Sequence, residues 1–202
     1  MRIRNVIFDF GGVLVCWRPR EIFESFYSDP QLREAVRVHA FEHDDWLAMD
    51  RGTMDEPTVV RRFAARMGRP EAELAALFDH VRAALVPIES TVALLRELHA
   101  AGVKLYGLSN MSESIFAYLY GRHEFFKLFD GIVVSAAVKV LKPEPAIYEH
   151  LRRRFSLDFG ESVFIDDLER NVASARRLGL PAIRFETTEQ VRGELEPLLS
   201  AV

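Results

Sequence analysis

The chain has 202 residues, 49% of them hydrophobic and 28% charged, with a formal net charge of -4. This is long enough for one domain or one domain with a modest insert, and the balance is that of an ordinary soluble globular protein. The slight acidic excess offers no basic face for nucleic acid, the single cysteine, Cys16, excludes an internal disulfide, and no apolar run reaches membrane length.

The first apolar segment, Asn5 to Phe10, is interrupted by Asp9 and is too short for a signal-peptide core. Within it Val6 to Phe10 reads as a buried parallel strand, because it lacks alternation and ends in turn residues. Lys104 to Leu108, Gly131 to Val134, Val163 to Ile165 and Ala182 to Phe185 read the same way. Helical stretches separate the later strands: Ile88 to Ala101 stops at Gly102, Pro143 to Phe155 ends in arginines, and Val172 to Leu178 stops at Gly179. Between the first two strands lie only helical patches, Arg20 to Tyr27, Pro57 to Met67 and Glu71 to Leu85. The expected fold is therefore α/β: a doubly wound parallel sheet with a helical cap inserted after the first strand. Residues 1–16 and 88–202 make the core and residues 17–87 the cap.

Ligands of open parallel sheets bind beyond the carboxyl ends of the strands. The first strand ends in Asp9-Phe10-Gly11-Gly12-Val13-Leu14 and the second in Leu108-Ser109-Asn110. Lys142-Pro143-Glu144-Pro145 follows the third, and the fourth ends in Asp166-Asp167 with Asn171 beyond. Converging carboxylates repel unless a cation lies between them, and oxygen-only ligands select a hard ion such as Mg²⁺. Gly11 and Gly12 let the backbone approach a ligand, while Lys142 and the Ser109 hydroxyl offer charge and a hydrogen bond to an anion. A metal, a lysine and a hydroxyl around one carboxylate suit phosphoryl transfer, with the carboxylate itself as nucleophile.

In order and spacing these four segments resemble the motifs of the haloacid dehalogenase superfamily. The forms Phe-Asp-Phe-Gly-Gly-Val-Leu, Leu-Ser-Asn, Lys-Pro-Glu-Pro and Phe-Ile-Asp-Asp are similar to a bacterial phosphatase branch that includes the α-glucose-1-phosphate phosphatase. The N-terminal phosphatase domain of soluble epoxide hydrolase is a more distant relative. The resemblance implies that Asp9 attacks phosphorus and binds Mg²⁺ together with the Gly11 carbonyl and Asp167, with Asp166 nearby. It implies that Gly11, Gly12, Ser109, Asn110 and Lys142 hold the substrate, that Lys142 offsets the charge on Asp9, and that Asn110 and Asn171 support the site by hydrogen bonding. The expected partner is a small phosphorylated metabolite, such as a sugar phosphate, handled by a cytoplasmic monomer or homodimer with no nucleic-acid or membrane partner.

The sequence departs from this pattern at two places. Most phosphatases of the superfamily carry a second aspartate two residues after the nucleophile, as general acid and base; here that position is Gly11. Either the leaving group needs little protonation, as an anomeric hydroxyl would, or the cap supplies the group from His43, Asp44, Asp45 or Asp50. The loop before Lys142 lacks the usual Gly and Arg and offers Lys139 as a second lysine, but Lys142 precedes Pro143 as the family pattern implies and is the one expected to serve. Plainer uses stand beside these: Asp9 and Asp166-Asp167 as helix caps, Trp46, Phe23, Phe26, Tyr27 and Phe41 as cap core, His39 and His43 as packing or surface groups, Cys16 as packing. Two rival functions remain. A 2-haloacid dehalogenase shares the nucleophile but needs no metal and has a Ser-Ser-Asn pattern where this chain has Asp166-Asp167. A catalytically idle binding protein is the other.

Overall fold

Asn5–Phe8 (β1) forms the middle strand of a five-stranded sheet in the computed structural model, which describes residues 3–200. Met1, Arg2, Ala201 and Val202, which the expected core includes, lie outside the described residues. After β1 come five helices, α1 (Pro19–Phe26), α2 (Pro30–Val36), α3 (Asp44–Asp50), α4 (Glu56–Met67) and α5 (Glu71–Ala84), with one π-helical turn, Arg37–Phe41. Then α6 (Glu89–Ala100), β2 (Lys104–Ser109), α7 (Glu113–Arg122), β3 (Gly131–Val134), the single turn α8 (Ser135–Val138) and α9 (Pro145–Phe155) follow. The chain closes with β4 (Ser162–Asp166), α10 (Glu169–Arg177), β5 (Ala182–Arg184) and α11 (Thr188–Ser200). The strand order is β3-β2-β1-β4-β5, and every pairing is parallel.

The strands read as unbroken apolar runs because both faces of the sheet are covered. Val6, Phe8, Leu105, Val163 and Ile165 pack on one side with Val92 and Leu95 of α6, Leu119 of α7 and Val191 of α11. Ile7, Leu108, Val133 and Phe164 pack on the other with Ile147, Tyr148 and Leu151 of α9 and Ala175 of α10. The sheet is thus doubly wound, as the sequence implies. Its core includes one close approach: a Cβ on Gly107 would lie 2.5 Å from the Phe10 ring, which stands edge-on to Phe126 at 5.0 Å between centroids.

Helices α1–α5 leave and rejoin the sheet through two paired linkers. Cys16 N–H donates to the Val86 carbonyl and Ile88 N–H to the Leu14 carbonyl, each at 2.8 Å. The helical insert is also fastened to the loop after β3. Ser135 Oγ donates to the Asp50 carbonyl, Lys139 Nζ to the Gly52 carbonyl, and Arg51 pairs with Glu144 at 2.6 Å. Lys139, with φ of 61°, is thereby committed to the insert rather than to the strand ends.

Several elements differ from the sequence reading. β1 stops at Phe8, two residues before the expected Phe10, because the Phe10 carbonyl turns to accept the N–H groups of Leu14 and Val15. Helix α10 starts at Glu169, three residues ahead of Val172. Helices α2, α3, α7 and α11 carry weaker periodic signals: α2 and α3 have seven residues each, and α11 contains Pro197. Substituting Gly107 with Ala forces the Phe10 ring aside, and overpacking of this kind costs about 1–3 kcal/mol. A urea titration of Gly107→Ala should show that loss with an unchanged m-value.

Candidate active site

Four adjacent strands deliver their carboxyl ends to one point. Asp9 follows β1, Ser109 closes β2, Lys142 lies in the loop after β3, and Asp166 closes β4. Asp9 and Asp166 stand side by side because Phe8 and Ile165 are register partners. Between them lies the ammonium group of Lys142, buried, with Nζ 2.8 Å from Asp9 Oδ1 and 2.7 Å from Asp166 Oδ2. Its third proton goes to the Leu108 carbonyl at 2.9 Å. All three donors are therefore used inside the protein. What Lys142 gives the site is positive charge and a fixed Asp9, as expected; a direct hold on a phosphoryl oxygen requires exchanging one of these bonds.

Asp166 is fully buried and saturated. Besides Lys142 it accepts from Asn171 Nδ2 at 2.9 and 3.0 Å and from the Leu168 N–H at 2.9 Å. It anchors the lysine, which leaves Asp9 and Asp167 as the carboxylates with free oxygens. Asn110 is a clamp as well: its amide donates to the Lys142 carbonyl at 2.9 Å and accepts the Lys142 N–H at 2.7 Å. That corrects the substrate-binding expectation for the Asn110 side chain, since both ends of its amide are occupied. Gly12 needs a similar correction. Its N–H donates to the Val15 carbonyl at 2.9 Å and so is not offered to an anion. The glycine is required because φ is +76° and a Cβ would lie 2.5 Å from Asp167 Oδ2. Ser109 is buried at the cavity wall, and among the described residues its hydroxyl has no hydrogen-bond partner.

The electrostatics call for a cation. Burial, reinforced by the charges of Asp166 and Asp167, pushes the Asp9 carboxyl up to about 8 despite Lys142. Burial and the charge of Asp166 likewise raise Asp167. For Lys142 burial works the other way, but the two neighbouring carboxylates outweigh it and hold the ammonium above its ordinary value. Asp9, Asp166 and Asp167 each place an oxygen within 4.8 Å of the others, and Asn171 Oδ1, buried nearby, has no partner among the described residues. A hard cation with bound water satisfies both the carboxylates and this orphaned acceptor.

The cavity over these groups, about 200 Å³, has Asp9, Gly11, Ser109, Lys142, Asp167 and Asn171 at its floor. Its walls are largely apolar: Trp17, Trp46, Leu47 and Leu85 from the insert and its linkers, Met111, Ile115 and Leu168 from the sheet side. Arg170, Asp50 and Asn110 complete it. Of the four acid–base candidates from the insert, only Asp50 lines this cavity. Asp44 is exposed, His43 accepts the Asp45 N–H through Nδ1, and Asp45 is held by Arg62 at 3.0 Å and Arg66 at 2.5 Å. Trp17 and Leu168 carried no functional signal in the sequence, and Leu85 read only as the end of a helical patch, since a single apolar residue cannot be told from core.

The chain matches the family model of haloacid dehalogenase-like hydrolases over residues 3–179. It belongs to that family. It is 30% identical over 196 residues to the sesquiterpene phosphatase astK of Aspergillus oryzae, with 97% of this chain and 96% of that protein covered. A HAD family enzyme of Bacteroides thetaiotaomicron, solved with magnesium and inorganic phosphate, superposes with a TM-score of 0.72 at 22% identity, covering 91% of this chain and 94% of that one. The L-2-haloacid dehalogenase of Xanthobacter autotrophicus gives 0.69 at 22% identity, covering 99% and 85%. At such identity the two structures establish the shared fold. The resemblance to the superfamily drawn from the four motifs thus holds, and the chain is a hydrolase of that family. No helix among the described residues is long and apolar enough to cross a membrane.

If a divalent cation neutralises Asp9 and Asp167, Mg²⁺ should stabilise the fold. At a hundredfold excess over Kd the gain is about 2.7 kcal/mol, or roughly 5–10 °C in Tm for a chain of this size. Differential scanning fluorimetry should show that shift in the wild type and its loss in Asp167→Ala. The shift should also grow from pH 6 to pH 8, because a raised Asp9 must lose its proton to bind metal.

Proposed function

We propose that the chain is a Mg²⁺-dependent phosphatase that hydrolyses phosphate monoesters through an aspartyl-phosphate on Asp9. The observation that carries this is the buried Lys142 held between Asp9 and Asp166, with Asp167 alongside. Bound Mg²⁺, held by Asp9, Asp167 and the Gly11 carbonyl, would supply charge to the transferring phosphoryl group. Lys142 orients Asp9 and partly offsets the burial that disfavours its ionised form, an offset a bound cation would complete. The Ser109 hydroxyl would donate to a phosphoryl oxygen, and Asn171 Oδ1, a buried acceptor without a partner among the described residues, would accept from a water held there. Residues 17–87 act as the cap that covers these groups.

The acidic pair also speaks against dehalogenation, which uses a carboxylate nucleophile without a metal: three clustered carboxylates with one lysine are costly unless a cation is present. Asp9, paired with Lys142 and with an oxygen within 4.8 Å of Asp167, weighs against an idle binder.

For the leaving group, the apolar cavity wall favours a hydrocarbon alcohol over a polyol. Trp17 and Trp46, stacked at 5.8 Å, wall both this cavity and a larger cleft of about 810 Å³ in the insert, which provides room for an extended tail. The sesquiterpene phosphatase relative supports the same reading. A sugar 1-phosphate is the second reading, favoured by the missing aspartate at Gly11, since an anomeric hydroxyl departs with little help.

Phosphate release from farnesyl monophosphate, glucose 1-phosphate and glucose 6-phosphate tests these readings together. Turnover should require Mg²⁺, fall by at least about 10³-fold in Asp9→Asn, and be fastest with farnesyl monophosphate. A preference for glucose 1-phosphate moves the substrate to the second reading. Absence of turnover on every ester, with chloride released from 2-chloropropionate, makes the chain a dehalogenase.

A further inference from the structure

The nucleophile loop lacks a proton donor where Gly11 stands, yet the cavity is not without one. We infer that Asp50, on the last turn of α3, is the general acid and base of this enzyme, reaching the leaving group from the insert side of the cavity. This rests on the phosphatase reading above.

Asp50 lines the same cavity as Asp9, Ser109 and Lys142, and it is the one carboxylate there contributed by the insert. Its backbone is fixed from the opposite side. Ser135 Oγ binds its carbonyl, while Arg51–Glu144 and Lys139–Gly52 pin the two residues after it to the loop that carries Lys142. Its carboxylate lies near the indole N–H of Trp46, one turn earlier, and the backbone N–H of Ser112, both of which favour its ionised form. A carboxylate on a mobile cap would need closure to reach the site; here the attachment to the Lys142 loop sets its position. The remaining charged groups on the cavity wall are Asp9, Asp167, Lys142 and Arg170. Burial pushes the Asp50 carboxyl up to about 7 against the pull of those two N–H groups, so both protonation states are populated near neutrality.

The proton balance closes over two steps. In the first, Asp9 Oδ forms a bond to phosphorus, the bond from phosphorus to the ester oxygen breaks, and the Asp50 proton passes to that oxygen to release a neutral alcohol. In the second, a water oxygen attacks phosphorus and gives its proton to the Asp50 carboxylate. The phosphorus–Asp9 bond breaks, releasing inorganic phosphate and restoring the starting state. An apolar alcohol, a poor leaving group, needs such a donor.

The test compares wild type and Asp50→Asn on an alkyl phosphate and on p-nitrophenyl phosphate, both with Mg²⁺. We expect kcat on the alkyl ester to fall about 10²–10⁴-fold. With p-nitrophenyl phosphate, whose leaving group needs no proton, the first step should survive. About one equivalent of nitrophenolate per enzyme should then appear in a burst, with acid-stable phosphoenzyme trapped on Asp9, because the second step lacks its base. Gly11 has room for a Cβ, whose nearest neighbour would be Trp17 Cβ at 3.5 Å. In a Gly11→Asp background the Asp50→Asn penalty should therefore shrink at least tenfold, a comparison that also stands if the single variant folds poorly. Alkyl phosphate turnover within threefold of wild type, or an equal loss on both esters without a burst, overturns the assignment of Asp50. A wild type that hydrolyses no ester overturns the phosphatase reading instead.

Discussion

The ammonium of Lys142, buried between two carboxylates at 2.8 and 2.7 Å, is the contact on which the rest of the site depends. Taking three ions out of water is expensive, and removing one partner of such a group typically costs about 3–5 kcal/mol. The surrounding structure is arranged to keep each ion supplied with hydrogen bonds. Asn171 and the Leu168 N–H satisfy Asp166, the Leu108 carbonyl takes the third lysine proton, and Asn110 clasps the Lys142 backbone. Tyr148 donates to the Asn171 carbonyl, and Ser174 to the carbonyl of Pro143, which ties α9 and α10 to the same loop. The four motifs are therefore one hydrogen-bonded unit rather than four separate features.

That unit leaves an excess of negative charge. Two carboxylates are held by one lysine, and Asp167, a third, stands within reach of both. The fold tolerates this because the strand ends and loops on which the carboxylates stand are rigidly packed against both faces of the sheet. Such repulsion is what a cation relieves, so the site's excess negative charge and its affinity for a metal have one source. The insert completes the arrangement with a largely dry wall, where charge on a transferring group is screened less than in water.

The attachment of the insert to the core explains how one helix turn can serve the chemistry. Arg51, Gly52 and the Asp50 carbonyl all engage residues between Ser135 and Glu144, a segment that also positions Lys142. Catalytic floor and cavity wall are thus referred to the same loop. The unusual lysine at position 139 belongs to this attachment, which gives a structural reason for a loop that departs from the Gly- and Arg-containing form.

The sequence by itself determined the parallel sheet and the chemistry at its strand ends. Unbroken apolar runs ending in Asp9, Ser109 and Asp166 are short-range signals, and burial on both faces leaves such strands little alternative. It also located the insert, because some seventy residues without a strand cannot be a simple crossover. It did not determine which polar atoms remain free. Asn110, Gly12 and Asp166 look like ligands in one dimension; in three, their donors or acceptors are consumed by Lys142, Val15 and Asn171. Nor could it choose among His43, Asp44, Asp45 and Asp50, which lie within eight residues of each other. Only the packing of α3 decides that Asp45 faces Arg62 and Arg66 while Asp50 faces the cavity, because on a helix five residues turn a side chain well past one full revolution.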